Sequence, residues 1–582
     1  MADEEITRQN QMSEEDIASQ VNAIIDNISP HGDLVLPEDA TPQLLLALSK
    51  EVINRKLPAS REIIFDMHSS HLSEIPDGVF AGMNTKIIPM PPNLQTVGVG
   101  AFLGCPELCE FVIYSKLQKS TWEQLICALE ASYKENPRTI VLMLSCDSDE
   151  EEVRWLTEVL KTSDIRGLMI DFCVVPFVPA KALSGCLSVS ELCFSPQLRG
   201  IGRGAFSGCA NLKRIRFIDK GIQRKQWRAI FTALKSYQLL DIMLPRGMSQ
   251  EEFEDFAEEL TASNMKSVNV YTDNTAVTQI PDGTFAGCAA LRNITIMPAI
   301  RSVGAHAFDD CHALRGIYTA EGLSGDLWKQ LVAATETLSG VRFVLPVGAK
   351  IQEAADLVSA LRQSDARDIG VDLQQTDIKT IPDEFFADCW ALGTVCLPYG
   401  VNKIGESVFK GCRNLNFVYS PQVLDETGWC EVLRATGDVF GVNIRVPDIT
   451  DTEGLKPLSD ALRKNSSTLV QIDMRGVNVR SIPDGTFADC KSVIKFLLPA
   501  KLEQIGQGAF LGCTNLSEAG VLLADMNDWY TDPDCTDKIP ATRLSRVILK
   551  GGAVYKDKRI PPEIEKRILA KVGDESMGFT GK

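Results

Sequence analysis

Residue types that could do chemistry are few in this chain, and their spacing argues against most of it. There are five histidines, His31, His68, His71, His306 and His312. His68 and His71 are close, but no cysteine stands near them to complete a zinc set, so they read as a surface pair. His306 and His312 share one short segment with no serine or cysteine nucleophile to match them. Seventeen cysteines are present, and none forms a Cys-x-x-Cys pair with metal spacing. Gly200-x-Gly202-x-Gly204 imitates a phosphate loop without the strand-then-helix setting. The acidic run Asp147–Glu152 lacks the alternating ligands and central glycine of a calcium loop and suits a helix start. Walker, zinc-hydrolase and nucleophile-elbow motifs do not occur. No catalytic residue, metal ligand or cofactor is expected.

What positions these residues is a repeat. Ile-Pro-Asp-Gly-x-Phe-Ala-x-Cys, with variations, occurs at Ile75–Met83, Ile280–Cys288, Ile381–Cys389 and Ile482–Cys490. A partner, Ile/Val-Gly-x-x-Ala-Phe-x-x-Cys, occurs at Val97–Cys105, Ile201–Cys209, Val303–Cys311, Ile404–Cys412 and Ile505–Cys513. Its phenylalanines, Phe102, Phe206, Phe308, Phe409 and Phe510, are separated by 104, 102, 101 and 101 residues. A constant period signals a solenoid, which overrides a length-based domain count. Nine cysteines recur at the motif position: Cys105, Cys186, Cys209, Cys288, Cys311, Cys389, Cys412, Cys490 and Cys513. They read as a column of buried free thiols packing as small apolar groups.

Each unit reads as four coils, two long and two short. Ser249 with Glu252 forms a capping box ahead of the stripe Phe253, Phe256, Ala257 and Leu260. Trp122, Trp227, Trp328 and Trp429 begin amphipathic helices and belong to the core. The short coils are expected to carry tight turns or 3₁₀ pieces, and the glycine series Gly98, Gly202, Gly304, Gly405 and Gly506 to mark a turn or a position too tight for a side chain. Leu-x-x-Ile-x-Leu/Phe, as in Leu212–Phe217, is the strand half of a leucine-rich repeat. The expected fold is an α/β leucine-rich-repeat solenoid, with a curved parallel sheet on the concave side and helices and short turns on the convex side. Residues 1–32 form an N-terminal capping region with a helix over 13–28. Residues 33–549 form a single solenoid of five units, 550–572 a C-terminal cap with a helix at Pro562–Val572, and 573–582 a disordered tail.

The Ile-Gly-x-x-Ala-Phe-x-x-Cys-x-x-Leu-x-x-Ile series resembles the BspA-like (spirochaete-type) leucine-rich repeats, here hybridised with longer strand–helix coils. Met83, Leu183 and Val408 depart from the pattern. The resemblance implies protein–protein binding, as adhesion or co-aggregation in surface-exposed bacterial members. Strand alternation selects Arg214, Arg216, Tyr318, Arg342, Phe417, Tyr419 and Arg445 as partner-binding candidates on the outward sheet face, beside Glu110, Val112, Thr394 and Asp473. A net charge of −18 disfavours a nucleic-acid partner. No stretch approaches a membrane span, and the start Met1–Ile6 lacks the pattern of a secretory signal. The expectation is a cytoplasmic, non-enzymatic scaffold for a protein or peptide partner. A surface or secreted adhesin and a glycan-binding module are the alternatives.

Overall fold

The computed structural model describes residues 13–29, 32–55, 63–465, 469–499, 502 and 509–516, with the backbone of the strands Gln504–Ile505, Glu518–Val521, Ser545–Lys550, Ala553–Tyr555 and Thr580–Gly581. His31, Gly506, the expected helix at Pro562–Val572 and most of the tail 573–582 lie outside the described residues. The chain divides into two compact units, Met1–Val277 and Thr278–Lys582.

In the first unit the strands Ile87–Pro89, Glu110–Val112, Ile140–Met143, Leu168–Asp171, Val189–Phe194, Arg214–Phe217, Leu240–Met243 and Val268–Tyr271 pair in parallel, each with the next. The register lines up one residue from each strand, Ile88, Phe111, Leu142, Ile170, Leu192, Ile215, Ile242 and Val270, and all are buried. The second unit repeats the device with Ile294, Ile317, Phe343, Val371, Val395, Val418, Ile444, Ile472 and Phe496. Side chains alternate across a strand, so the residues on either side of this buried row point to the opposite, helix-free face.

Helices pack in pairs against the inner face: Lys119–Glu135 with Glu150–Thr162, Arg224–Leu234 with Gln250–Thr261, Gly325–Ala333 with Ile351–Arg362, and Glu426–Ala435 with Lys456–Lys464. The tryptophans Trp122, Trp227, Trp328 and Trp429 are buried at the start of each pair. Ser249 and Glu252 form the expected capping box, and Phe253, Phe256, Ala257 and Leu260 are buried. At the N-terminus the helix Glu14–Asp26, capped by Ser13, packs on a second helix, Pro42–Asn54.

The short coils carry the expected tight turns, as at 282–287, and add a pairing that the sequence did not announce. Each pair builds its own two-residue parallel ladder, as where Gln279–Ile280 meets Ser302–Val303. The glycine series makes this possible. A Cβ on Gly98, Gly202, Gly304 or Gly405 would lie 2.3–2.4 Å from backbone of the preceding coil. With no side chain there, the Gly304 N–H donates to the Ile280 carbonyl at 2.8 Å. Inside the same coils the motif phenylalanines stack, Phe285 on Phe308 at 5.9 Å and Phe386 on Phe409 at 5.6 Å. The second motif cysteine donates its S–H to the carbonyl of the first motif position: Cys105 to Phe80 (2.8 Å), Cys209 to Leu183 (2.9 Å), Cys311 to Phe285 (2.9 Å) and Cys412 to Phe386 (2.9 Å). The thiol thereby satisfies a buried acceptor while filling little volume. Burial pushes Cys311 and Cys412 up to about 12, so these thiols stay protonated and inert.

Candidate partner-binding face

The register sorts the sequence-selected residues into rows. In the second unit one lateral row runs Tyr318, Val344, Asp372, Cys396, Tyr419, Arg445 and Asp473. The row on the other side of the buried centre runs Gly316, Arg342, Gly370, Thr394, Phe417, Asn443 and Gln471. Tyr318, Tyr419 and Arg445 therefore share a row, and Arg342 and Phe417 share the neighbouring one. Arg214 and Arg216 belong to the first unit and flank its own buried row.

The arginines are not loose. Arg214 and Arg216 both reach the carboxylate of Glu191 at 2.8 Å, and Glu191 is buried beneath them. Arg342 lies 3.4 Å from Asp372 and Arg445 3.9 Å from Asp473. Only 19% and 16% of these two side chains are exposed, so each guanidinium is held from below and offers one edge to solvent. Thr394 and Asp473, counted as outward residues, are buried by their neighbours. Asp473 also accepts two bonds from Arg475, at 2.9 and 2.7 Å. Among the aromatics Tyr318 is exposed, while Phe417 and Tyr419 are half-buried. Burial raises the Tyr419 hydroxyl above the ordinary phenol range, the nearby Tyr399 adds to the shift, and the Arg445 charge opposes it.

Aspartates at strand ends in both units have a structural duty of their own. Asp66, Asp171, Asp372 and Asp473 each end a strand, and each accepts the backbone N–H two residues on, at 3.1, 2.7, 3.0 and 3.0 Å. Asp66 carries His68 as well, with Nδ1 at 2.8 Å, and Ser69 Oγ lies 3.0 Å from His68 Nε2. The order of contacts imitates a hydrolase triad. The three residues, however, fall within four positions of one strand-end turn, and His68 is half exposed to water. His306 pairs with Asp309 at 2.9 Å and His312 with Asp310 at 3.9 Å, both on exposed turns.

Sequence reasoning missed several exposed rings. Trp390 is 55%, Tyr399 46% and Phe440 80% exposed. All three lie in turns flanking strands, where period-two alternation gives no information. The Trp390 ring carries the Arg413 guanidinium at 5.1 Å. A signal was available: Trp390 follows a motif cysteine, at a place held by Ala289 and Lys491 in other repeats.

The profile of the BspA type leucine rich repeat region matches residues 61–125, 177–315, 369–428 and 438–523, in six copies. The chain belongs to the BspA-type leucine-rich repeat family. The unmatched stretches 126–176 and 316–368 hold helix-bearing coils, and the matched spans also contain helices, among them Arg224–Leu234, Gln250–Thr261 and Lys456–Lys464. Similar solved structures include a leucine rich cell surface protein from Faecalibacterium prausnitzii, at 14% identity over 85% of this chain and 89% of that one, with a TM-score of 0.13. Another is the leucine-rich repeat protein of T. pallidum, at 18% identity over 48% of this chain and 78% of that one, with a TM-score of 0.11. A third is the Drosophila Toll–Spatzle complex, at 12% identity over 67% of this chain and 48% of that one, with a TM-score of 0.24. No curated protein matches the chain. No helix among the described residues is long and apolar enough to cross a membrane.

Proposed function

We propose that the chain is a non-enzymatic scaffold that takes an extended protein or peptide partner along the helix-free sheet face of its second unit. One observation carries the reading: Tyr318, Tyr419 and Arg445 stand in a single lateral row, with Arg342 and Phe417 in the row beside it. Four strand spacings separate the two tyrosines, about 19 Å at ~4.8 Å each. That reach suits a chain laid along the row better than a small molecule in a cavity. Tyrosine and arginine supply much of the binding energy at protein interfaces. A guanidinium already held by a buried carboxylate loses little freedom when a partner arrives. The charge of −18 favours a partner with basic segments.

The test is selection of peptides from a displayed library on the intact chain, followed by titration of the winners. Tyr318→Ala with Tyr419→Ala should weaken binding at least about 30-fold, the scale of a hot-spot loss. His306→Ala, on an exposed short-coil turn, should leave it unchanged. Full affinity in the double variant would overturn the assignment. Glycan binding is a second reading, favoured by the exposed rings of Trp390 and Tyr399; a glycan array with Trp390→Ala as control addresses it. The buried thiols of the motif column support a reducing, cytoplasmic setting over surface export. Counting free thiols after gentle isolation decides between the two.

A further inference from the structure

Two thiols break the repeat at one place, and they stand together. Asp171 ends the strand Leu168–Asp171, and the register sets it beside Cys193 of the strand Val189–Phe194. Cys173, two residues beyond Asp171, is held at the strand end because its N–H donates to Asp171 Oδ1 at 2.7 Å. Its Sγ lies 3.6 Å from that of Cys193. A carboxylate oxygen of Asp171 joins the two sulfurs, with all three atoms within 4.8 Å of one another. Asp171 and Cys193 are buried, whereas Cys173 is half-buried and leaves a path from solvent.

The other repeats supply an internal comparison. Asp372 has Gln374 at the turn position and Cys396 on the neighbouring strand; Asp473 has Arg475 and Leu497. The aspartate and its N–H bond are shared by these repeats, with Tyr271 standing at the place in the repeat between Asp171 and Asp372, but the pair of thiols is not shared. The motif-column cysteines differ again, since each of Cys105, Cys209, Cys311 and Cys412 is occupied by a backbone carbonyl.

The spacing suits a cation. Two thiolates bound tetrahedrally at about 2.3 Å from zinc stand about 3.8 Å apart, close to the separation observed. A disulfide requires about 2.05 Å, which the pair reaches only by closing about 1.5 Å. The bond from the Cys173 N–H orients the carboxylate, as outer-shell partners of metal ligands do. We propose that Asp171, Cys173 and Cys193 form a binding site for one borderline-soft divalent cation of the zinc class, with water completing a tetrahedron. Binding releases the two thiol protons to solvent and ties two consecutive coils together. Without the ion, the Cys193 contact and burial hold the Cys173 thiol far above its ordinary value, so it stays neutral. The ion replaces those protons.

The experiment uses the full chain, stripped with a chelator, kept reduced with a phosphine and titrated with Zn²⁺ by calorimetry. Co²⁺ serves as a second probe through its thiolate charge-transfer absorption. One equivalent should bind, with both thiols contributing to the cobalt band. Cys173→Ser and Cys193→Ser should each weaken binding by more than the 10–100-fold that loss of an outer-shell partner alone costs. Asp171→Asn keeps an acceptor for the Cys173 N–H, so it tests the ligand without dismantling the turn, and should also weaken binding. Cys288→Ser, in the motif column, should bind like the parent. Absence of uptake, or equal uptake by the parent and the Cys173, Cys193 and Asp171 variants, overturns the proposal. So does a Cys173–Cys193 disulfide, mapped by mass spectrometry, as the resting state of the reduced preparation.

Discussion

Gly304→Ala and Gly283→Ala add the same methyl group to one pair of short coils, and the architecture assigns them unequal costs. A Cβ on Gly304 would lie 2.4 Å from Asp282 N and Cα. Carbon atoms rest about 3.5–4.0 Å apart, so the two backbones must separate by more than about 1 Å. That movement breaks the Gly304 N–H bond to Ile280 and disturbs the pairing of Gln279–Ile280 with Ser302–Val303. About 1 kcal/mol for each of one or two lost backbone bonds, with about 2–3 kcal/mol for overpacking, gives about 3–5 kcal/mol. Gly283 has φ +71° and open space where its Cβ would go. The left-handed backbone costs alanine about 1–2 kcal/mol, and the stiffer unfolded chain returns about 0.4–1 kcal/mol, leaving about 1.6 kcal/mol at most. The chain makes the same allowance itself, since Lys181 and Glu384 hold this turn position at φ 57° and 53°. Urea unfolding followed by tryptophan fluorescence gives the overall loss. Hydrogen exchange over residues 279–311 reports the coil itself, which matters because a repeat array need not unfold in one step. Equal costs for the two variants, or a Gly304→Ala protein within about 1 kcal/mol of the parent, would refute the close-approach argument.

Three further outcomes follow from the same contacts. Phe285→Ala should cost about 3–5 kcal/mol in urea unfolding, whereas Phe285→Leu should cost about 1 kcal/mol, because Leu183 fills the equivalent place; similar losses for both would show that filled volume is not what matters there. In the native protein a thiol reagent should label the exposed Cys127 and Cys146 promptly and reach Cys311 and Cys412 only on unfolding, as mapped by peptide mass spectrometry. Burial raises the Glu152 carboxyl, although the Leu117 N–H and Trp122 indole donate to it at 2.7 and 3.1 Å. The fold therefore favours the neutral acid: its contribution is complete below the unfolded value and fades as pH rises through the higher folded one. Glu152→Gln should lack that fade in a pH series of unfolding curves, and identical curves for the two proteins would count against it.

The parts of the fold visible in the sequence are those in which one contact dictates one residue type in every unit. Gly98, Gly202, Gly304 and Gly405 are glycine because a backbone passes where a Cβ would be. Trp122, Trp227, Trp328 and Trp429 recur because each opens a helix pair over the sheet. The helix Pro42–Asn54 escaped notice, though Thr41 caps it and Leu44, Leu45, Leu48 and Val52 line its buried side. The candidate site was only half legible. Alternation found Tyr318 and Phe417, but it could not find that Arg342 and Arg445 rest on Asp372 and Asp473, which come from the next coil about thirty residues away. Nor could it reach Trp390, Tyr399 or Phe440, because turns have no period to read.

The aspartate column shows how such an array acquires chemistry without a cleft. At Asp66, Asp171, Asp372 and Asp473 the carboxylate secures the backbone two residues on. The turn is then fixed by the aspartate and the N–H, which every residue but proline can supply. The side chain at that second position is released from structural duty, and it varies: His68, Cys173, Gln374 and Arg475. Each arrives at a strand end with its backbone already placed, next to a buried or half-buried carboxylate. A histidine there gains a charged partner at 2.8 Å, an arginine a two-pronged ion pair, and a cysteine a second thiol across the strand gap. A shared frame with one free address at each of these four aspartates lets single substitutions exchange one local chemistry for another while leaving the core row untouched. Active sites that need several elements to converge cannot be changed so cheaply, which is the physical reason this architecture lends itself to binding along a face.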